Sequence, residues 1–326
     1  MDWTRALWGV AALIGVPLAL CAYLFLVERA VERLPARRRP RVRPWLWMAP
    51  ALVLLAGFLV YPALHTAVLS LRSADGSRFV GLAQYAEIFT ARSMLTVLRT
   101  NLLWLLLFPT VTVVLGLLVA VLTDRVRYAW AVQTALFVPM AISLVAAGVI
   151  WKFMYQFQPS GAAQLGTVNA VLTAVVPGFT PRAWLFDRAL NNPALVFVLV
   201  WMWVGFAMVI LHAAIRGIEP ALVEAARLDG ASELQVFFRI TLPLVRPTVA
   251  VVATTLVVGV LKVFDVVYVM TNGSLDTEVV ANRMYKEMFT YGDFGRASAF
   301  ATLLLLAILP ILWLHVRRFT RKARRA

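Results

Sequence analysis

The chain has 326 residues, 62% of them hydrophobic and 14% charged, a balance that excludes a soluble globular protein. Its apolar runs are continuous rather than alternating, which argues against a strand barrel and for membrane helices. The formal charge of +15 would suggest nucleic acid in a soluble chain. Here the basic residues concentrate in a few short connectors, as positive-inside topology requires, and no nucleic-acid partner is expected.

About seven membrane helices are predicted. The first, about Trp3–Val27, ends without a small-x-small cleavage site, and Leu20 before Cys21 is too large for lipoprotein processing. It is expected to stay as an anchor. Cys21 is the single cysteine, so no internal disulfide forms. Glu28–Pro44 follows with Arg29, Arg33, Arg37, Arg38, Arg39, Arg41 and Arg43, a run expected to be cytoplasmic. Residues 1–44 thus read as an anchor helix with a basic connector, and 45–326 as the main membrane domain.

The second helix, about Trp45–Leu69, leads out to Arg72–Ser93, where FVGLAQYAEIF predicts a short amphipathic element. The third, about Val97–Thr123, meets a tight inner turn at Asp124–Tyr128. The fourth, about Val132–Tyr155, is expected to kink at Pro139. Gln156–Asn192 is the longest external segment, long enough to offer a surface to a soluble partner. The fifth helix, about Pro193–Ile215, precedes a polar inner loop at 216–246. The sixth covers about Thr248–Met270, Asn272–Arg296 is external, and the seventh covers about Ala297–Val316. Nineteen of the 31 basic residues fall in segments placed inside and nine in segments placed outside. The amino terminus is therefore expected outside and the carboxyl terminus inside, with no internal repeat and no low-complexity linker.

Pro220–Pro243 is the stretch with the most local chemistry. Pro220 suits a first helical position, Asp229-Gly230 predicts a break, and Ser232 with Gln235 forms a capping-box pattern that restarts the helix. Pro243 and Pro247 are expected to end it. Leu222, Ala225 and Ala226 beside Glu224 make a narrow helix face able to enter a groove on another protein.

No phosphate loop, metalloprotease pair or nucleophile elbow occurs, so the chain is not expected to hydrolyse ATP by that route or to be catalytic. His65, His212 and His315 lie in separate apolar runs without ligand spacing, so packing is expected and no metal. Inside the helices, Lys262 and Asp265 are three apart and share a predicted helix face, where they either pair with each other and hydrogen-bond the hydroxyls of a ligand, or form a structural ion pair to a neighbouring helix or snorkel near the outer end. Trp201, Met202, Trp203 and Phe206 offer aromatic faces beside Gly205, which gives room, although packing explains a single Trp equally well. Trp151 and Lys152 read as interface anchors.

The spacing Glu224-Ala225-Ala226, three residues, Gly230, nine residues, Ile240, one residue, Leu242-Pro243 resembles the EAA loop of binding-protein-dependent ABC importer permeases. An Ala-rich connector is the plain alternative, against which the extended spacing argues. FVGLAQYAEIF is similar to that family's F-x-G-L-x-N-Y segment, with Gln84 in place of Asn. PMAISLVAAGVIWKFMY, GFAMVILHAAIRGI, VLKVFDVVYVMTNG and YGDFGRASA look most like alpha-glucoside permeases. The resemblance implies an all-α polytopic membrane protein with a methionine-importer-like (type I) permease core plus one extra N-terminal helix. It implies an importer of an alpha-glucoside or similar di- or oligosaccharide, in the bacterial cytoplasmic membrane. Implied partners are a second homologous permease subunit, two cytoplasmic ABC ATPase subunits carrying ATP and Mg, and an extracytoplasmic sugar-binding protein; no cofactor is bound by this chain. Coupling would then fall to Glu224, Ala225, Ala226, Asp229, Gly230, Ile240, Leu242 and Pro243. The substrate pathway would take Met202, Trp203, Phe206, Gly259, Val260 and Val263, where the family's polar Asn and Tyr are absent, together with Lys262 and Asp265 from the residue pattern above. The rival reading is a secondary sugar carrier driven by an ion gradient, with Asp265 as its coupling site.

Overall fold

The computed structural model describes residues 3–124, 126 and 128–323. Arg125 and Arg127 of the inner turn, the tail past Ala323 and the His315 side chain lie outside the described residues. What is described is helical, with one isolated bridge between Arg72 and Phe79. Among the described residues six helices are long and apolar enough to cross a membrane, or seven if one bent pair is a single span. By contacts the chain divides into two units, Met1–His65 and Thr66–Ala326.

The first unit is a helical hairpin. Helix α1 (Trp3–Glu32) runs past the Val27 end expected from hydropathy, because its exposed carbonyls find donors. The Arg39 guanidinium donates to the carbonyls of Leu34 at 2.9 Å and Glu32 at 2.7 Å, placing a cation where the helix dipole is negative. Helix α2 (Arg39–Leu55) starts with Pro40 in its first turn, continues through a π turn at Ala56–Val60 and passes into α3 (Tyr61–Leu69). The Tyr23 hydroxyl donates to the Leu46 carbonyl at 2.6 Å and Arg43 pairs with Glu28 at 2.6 Å, tying the two arms near the turn.

In the second unit, α4 (Ala83–Thr90) is the short amphipathic element expected, and it buries Gln84 and Ile88. Gln84 donates to the Arg72 carbonyl at 3.2 Å. Helix α5 (Arg92–Thr123) packs along α9 (Asn191–Arg216), the most buried helix. His212 is buried between them, its Nδ1 3.2 Å from the Ala120 carbonyl. Gly205 of α9 sits so close to the preceding helix that a Cβ there would lie 2.1 Å from the Leu136 carbonyl. This glycine permits helix packing; it does not open room for a ligand.

The fourth predicted span is not one kinked helix. It is α6 (Ala129–Phe137), a 3-10 turn at Val138–Ala141 and α7 (Leu144–Met154), bent by 104°. Pro139 removes a donor, Ile142 turns extended, and Ser143 caps the new helix by accepting from the Ala146 amide at 3.2 Å. The bend carries Trp151 inward, 7% exposed, against Tyr155, Phe197 and Trp201. It is a core residue and no interface anchor; Lys152 remains exposed and donates to the Val269 carbonyl at 3.3 Å.

Two segments expected as external connectors hold helices of their own, α8 (Thr167–Val175) and, further on, α14 (Val280–Phe289). Between α9 and α14 come α10 (Pro220–Leu228), α11 (Glu233–Val236), a π turn at Phe237–Thr241, α12 (Leu242–Leu261) and α13 (Asp265–Met270). The last helix is α15 (Phe294–Ala323). Leu275 and Asp276 before α14 adopt left-handed backbone, an unfavourable state for such residues. Side chains hold it: Asn191 donates to the Leu275 carbonyl at 2.7 Å and Thr100 to that of Asp276 at 3.0 Å. Within α14, Glu287 is fully buried and paired with Arg283 at 2.7 Å and Arg296 at 3.4 Å.

Candidate functional site

The α10–α11 segment forms as its local chemistry predicts. Glu219 stays extended before Pro220, and α10 ends at Asp229, whose amide reaches the Ala225 carbonyl at 3.0 Å. Gly230 takes φ +81°, the left-handed region that a Cβ disfavours. Ser232 and Gln235 make both bonds of the capping box, at 3.3 and 2.8 Å. The Arg227 guanidinium bridges the bend to Glu233 with contacts of 2.9 and 3.4 Å. The sequence reading did not use this pair, although a cation and an acid flanking an Asp-Gly break were a signal for it.

Helix α10 buries none of its residues. Leu222, Leu228, Leu234 and Phe238 are all exposed, Leu228 at 90%, so the segment presents apolar side chains that nothing among the described residues covers. Behind it lies a cleft of about 350 Å³ lined by Glu224, Arg227, Glu233, Asp124 and Arg216 among others. Arg216 at the end of α9 pairs with Asp124 at the end of α5, 3.1 Å apart. Ala225 is exposed and Ala226 half-buried on α10. Ile240 and Leu242 are half-buried within the helical run that follows, and Pro243 is exposed on it. The expected stop at Pro243 and Pro247 does not occur: Glu233–Leu261 is one apolar run of 29 residues. The π turn one turn before Pro243 takes up the missing donor and the ring.

At the other end of that run, Trp203, Gly259, Val260, Lys262, Val263 and Asp265 line one cavity with Phe108, Leu144, Leu199, Thr255 and Leu256. Six of the eight residues expected in the substrate pathway therefore converge. Met202 is buried away from it at 3% exposure, and Phe206 packs edge-on to Trp203 with centroids 5.6 Å apart. Phe108 and Leu144 could not be placed from the sequence, because they arrive from the third span and across the α6–α7 bend.

Lys262 and Asp265 do not share a helix face. Helix α12 ends at Leu261, Lys262 caps it at φ −101°, Phe264 sits at φ −137°, and a new helix begins at Asp265. Phe264 is drawn into a ring cluster with Tyr268 and Tyr285, centroids 5.0 and 5.1 Å away, and this tertiary contact outweighs helix propagation. Among the described residues no ion pair joins Lys262 to Asp265. The cavity holds about 60 Å³, room for about two waters and far below the roughly 300 Å³ at which ligand pockets begin. Alone it cannot enclose a sugar.

Residues 112–324 match the family described as binding-protein-dependent transport system inner membrane component. The chain belongs to that family. It is 49% identical over 274 residues to an osmoprotective compounds uptake permease protein of Synechocystis, covering 84% of this chain and 98% of the relative. It is 44% identical over 283 residues to an alpha-glucoside transport system permease protein of Rhizobium meliloti, covering 86% and 84%. Its fold matches a bacterial alginate ABC transporter chain with a TM-score of 0.72 at 24% identity, over 85% of this chain and 94% of that one. A second bacterial ABC transporter, involved in alginate import, matches at TM-score 0.70 and 26% identity, over 86% and 96%. The protein is an ABC importer permease subunit of the type I fold, a multi-pass component of the inner membrane, and not a gradient-driven carrier. Permeases of this family are not themselves enzymes.

Proposed function

We propose that this permease imports an alpha-glucoside or a similar di- or oligosaccharide and is driven through α10–α11 by a separate ATPase. What supports the substrate class is the 44% identity to an alpha-glucoside permease. What supports the coupling site is the exposed, bent, apolar α10–α11 surface with Gly230 at its corner. Residues 1–44 act as an anchor and connector, and 45–326 as the transport domain. The amino terminus lies outside and the carboxyl terminus inside, which puts α10–α11 on the ATP side. Its partners are a second related permease, two cytoplasmic ATPase subunits with ATP and Mg, and an extracytoplasmic sugar-binding protein; the chain itself binds no cofactor.

Two helices link the coupling surface to the cavity. Helix α9 ends at Arg216 in the cleft and carries Trp203 at the cavity; the 233–261 run starts at α11 and ends beside Gly259 and Val260. At 1.5 Å per residue the latter spans roughly 40 Å. Closing the ATPase dimer moves the two α10–α11 elements together, and these helices turn the pore from inward- to outward-facing as rigid bodies. Glu224, Ala225, Ala226, Asp229 and Gly230 make the contact, while Ile240, Leu242 and Pro243 hold the frame. Lys262 and Asp265 give the cavity wall its polar groups, one from each side of the helix break.

The test is uptake of radiolabelled trehalose, maltose or sucrose into vesicles carrying the chain with its neighbouring subunits. Uptake that requires internal ATP and survives an uncoupler is the expected result. Uptake by none of the three sugars would reject the substrate class, and uptake abolished by the uncoupler would reject ATPase coupling.

A further inference from the structure

The turn of the N-terminal hairpin carries more positive charge than the hairpin uses. Residues 28–43 hold seven arginines against two glutamates, Glu28 and Glu32. Arg43 is paired with Glu28, which also accepts from the Trp47 indole at 3.2 Å. Arg39 is spent on the end of α1, and Arg29 lies over the Phe25 ring at 5.0 Å. Arg33, Arg37, Arg38 and Arg41 are exposed and have no side-chain partner among the described residues. Helix α2 does not offset this charge, since its first turn holds no acidic residue and no side chain caps it.

The depth of this cluster in the membrane is fixed by what flanks it. A candidate span ends at Glu32 and the next begins at Arg39. A turn of six residues between two bilayer-length helices has to lie at the membrane surface. Trp45 and Trp47, exposed at 67% and 47%, sit just beyond it, as indoles do at the headgroup level. Anionic headgroups are therefore the anions this cluster meets, and guanidinium groups match phosphate oxygens in geometry as well as charge.

We propose that Arg33, Arg37, Arg38 and Arg41 form a binding site for the phosphates of anionic phospholipids, which holds the N-terminal hairpin at a lipid-specific position. The site is independent of the sugar and of the coupling loop, and it works in whichever leaflet the turn occupies.

The assembled importer, wild type and with Arg33, Arg37, Arg38 and Arg41 all replaced by Gln, is placed in nanodiscs of phosphatidylcholine with one-fifth phosphatidylglycerol. Lipid retained after gentle detergent release is counted by native mass spectrometry. Wild type is expected to retain phosphatidylglycerol above its share of the mixture, and the variant to retain about tenfold less of the excess. The same wild-type sample at raised ionic strength should lose the excess progressively; this arm stands even if the variant does not assemble. No excess in wild type, or an excess unaffected by both substitution and salt, overturns the proposal. Displacement of phosphatidylglycerol by millimolar inorganic phosphate at constant ionic strength would mean a soluble-anion site and also overturn it. Loss of the ATPase subunits from the variant, with its lipid unchanged, would reassign the arginines to an acidic protein surface.

Discussion

Gly230 offers the sharpest single test of the coupling geometry. Its φ is +81°, and a Cβ added there would meet nothing within 4 Å. Alanine is therefore strained through its backbone and not through contact, by about 1–2 kcal/mol. The elements that hold the bend are of the same size. The Ser232 cap contributes about 1 kcal/mol, and the Arg227–Glu233 pair, 51% and 46% exposed, contributes at most about 1 kcal/mol. In Gly230→Ala the bent form loses a roughly 5- to 30-fold population advantage, and ATP-dependent uptake falls by a similar factor at unchanged membrane level. Gly230→Asn should keep most activity, because Asn tolerates left-handed backbone. Since this chain leaves the position open, any loss in Gly230→Leu beyond that in Gly230→Ala measures contact with the ATPase. The assay is labelled-sugar uptake in vesicles, normalised to permease by immunoblot. Wild-type uptake in Gly230→Ala, or an Asn variant no better than Ala, would refute the reasoning.

Ser232→Ala removes one bond of the capping box and about 1 kcal/mol of helix start; co-purification of the ATPase should weaken several-fold, and unchanged recovery would show that α11 does not need the cap. Asp265→Ala should lower uptake without affecting ATPase recovery, whereas unaltered uptake would assign Asp265 to the helix break alone. Glu287→Gln removes the buried counter-charge of Arg283, while Arg296 keeps Glu87 at 2.7 Å and Asp293 at 3.4 Å. It should destabilise the solubilised protein by about 3–5 kcal/mol, read as a fall in the thermal midpoint; a shift no larger than that of an exposed control such as Glu219→Gln would contradict the buried-pair account.

What was legible in the sequence was local. The Asp229-Gly230 break and the Ser232/Gln235 cap are decided within a few residues, and each forms as read. The alanines of α10 and the apolar length of the spans belong to the same kind of signal. The misreadings occur where a distant partner overrides a local preference. Lys262 and Asp265 were placed on one face because nothing near them forbids a helix; Phe264 leaves it to join Tyr268 and Tyr285. Pro139 signalled a kink, but the full 104° turn also needs the Ser143 cap and a core that receives Trp151. Pro243 and Pro247 signalled a stop, and the π turn at Phe237–Thr241 carries the helix through them. Gly205 looked like space for a ligand because its neighbour, the Leu136 carbonyl, is remote in sequence.

The continuity through Pro243 and Pro247 bears on how force reaches the cavity. Each proline lacks an amide donor, and the π turn before them replaces regular bonding over five residues, so the foot of the 233–261 run is its softest part. Above Pro247 the helix is regular up to Leu261. Helix α9 has no proline beyond its first turn and is buried along most of its length, so it bends least. Arg216 at its foot faces the cleft behind α10, and Trp203 faces the cavity. On the coupling reading the two helices then do different work. The stiff α9 carries displacement to the cavity wall, while the soft foot of α12 lets α10 and α11 rotate with the ATPase without tearing the helix above them. On the same reading the break at 262–264 matters because α12 ends at Leu261 and α13 starts at Asp265, so Gly259–Leu261 and the α13 side of the wall do not belong to one continuous helix.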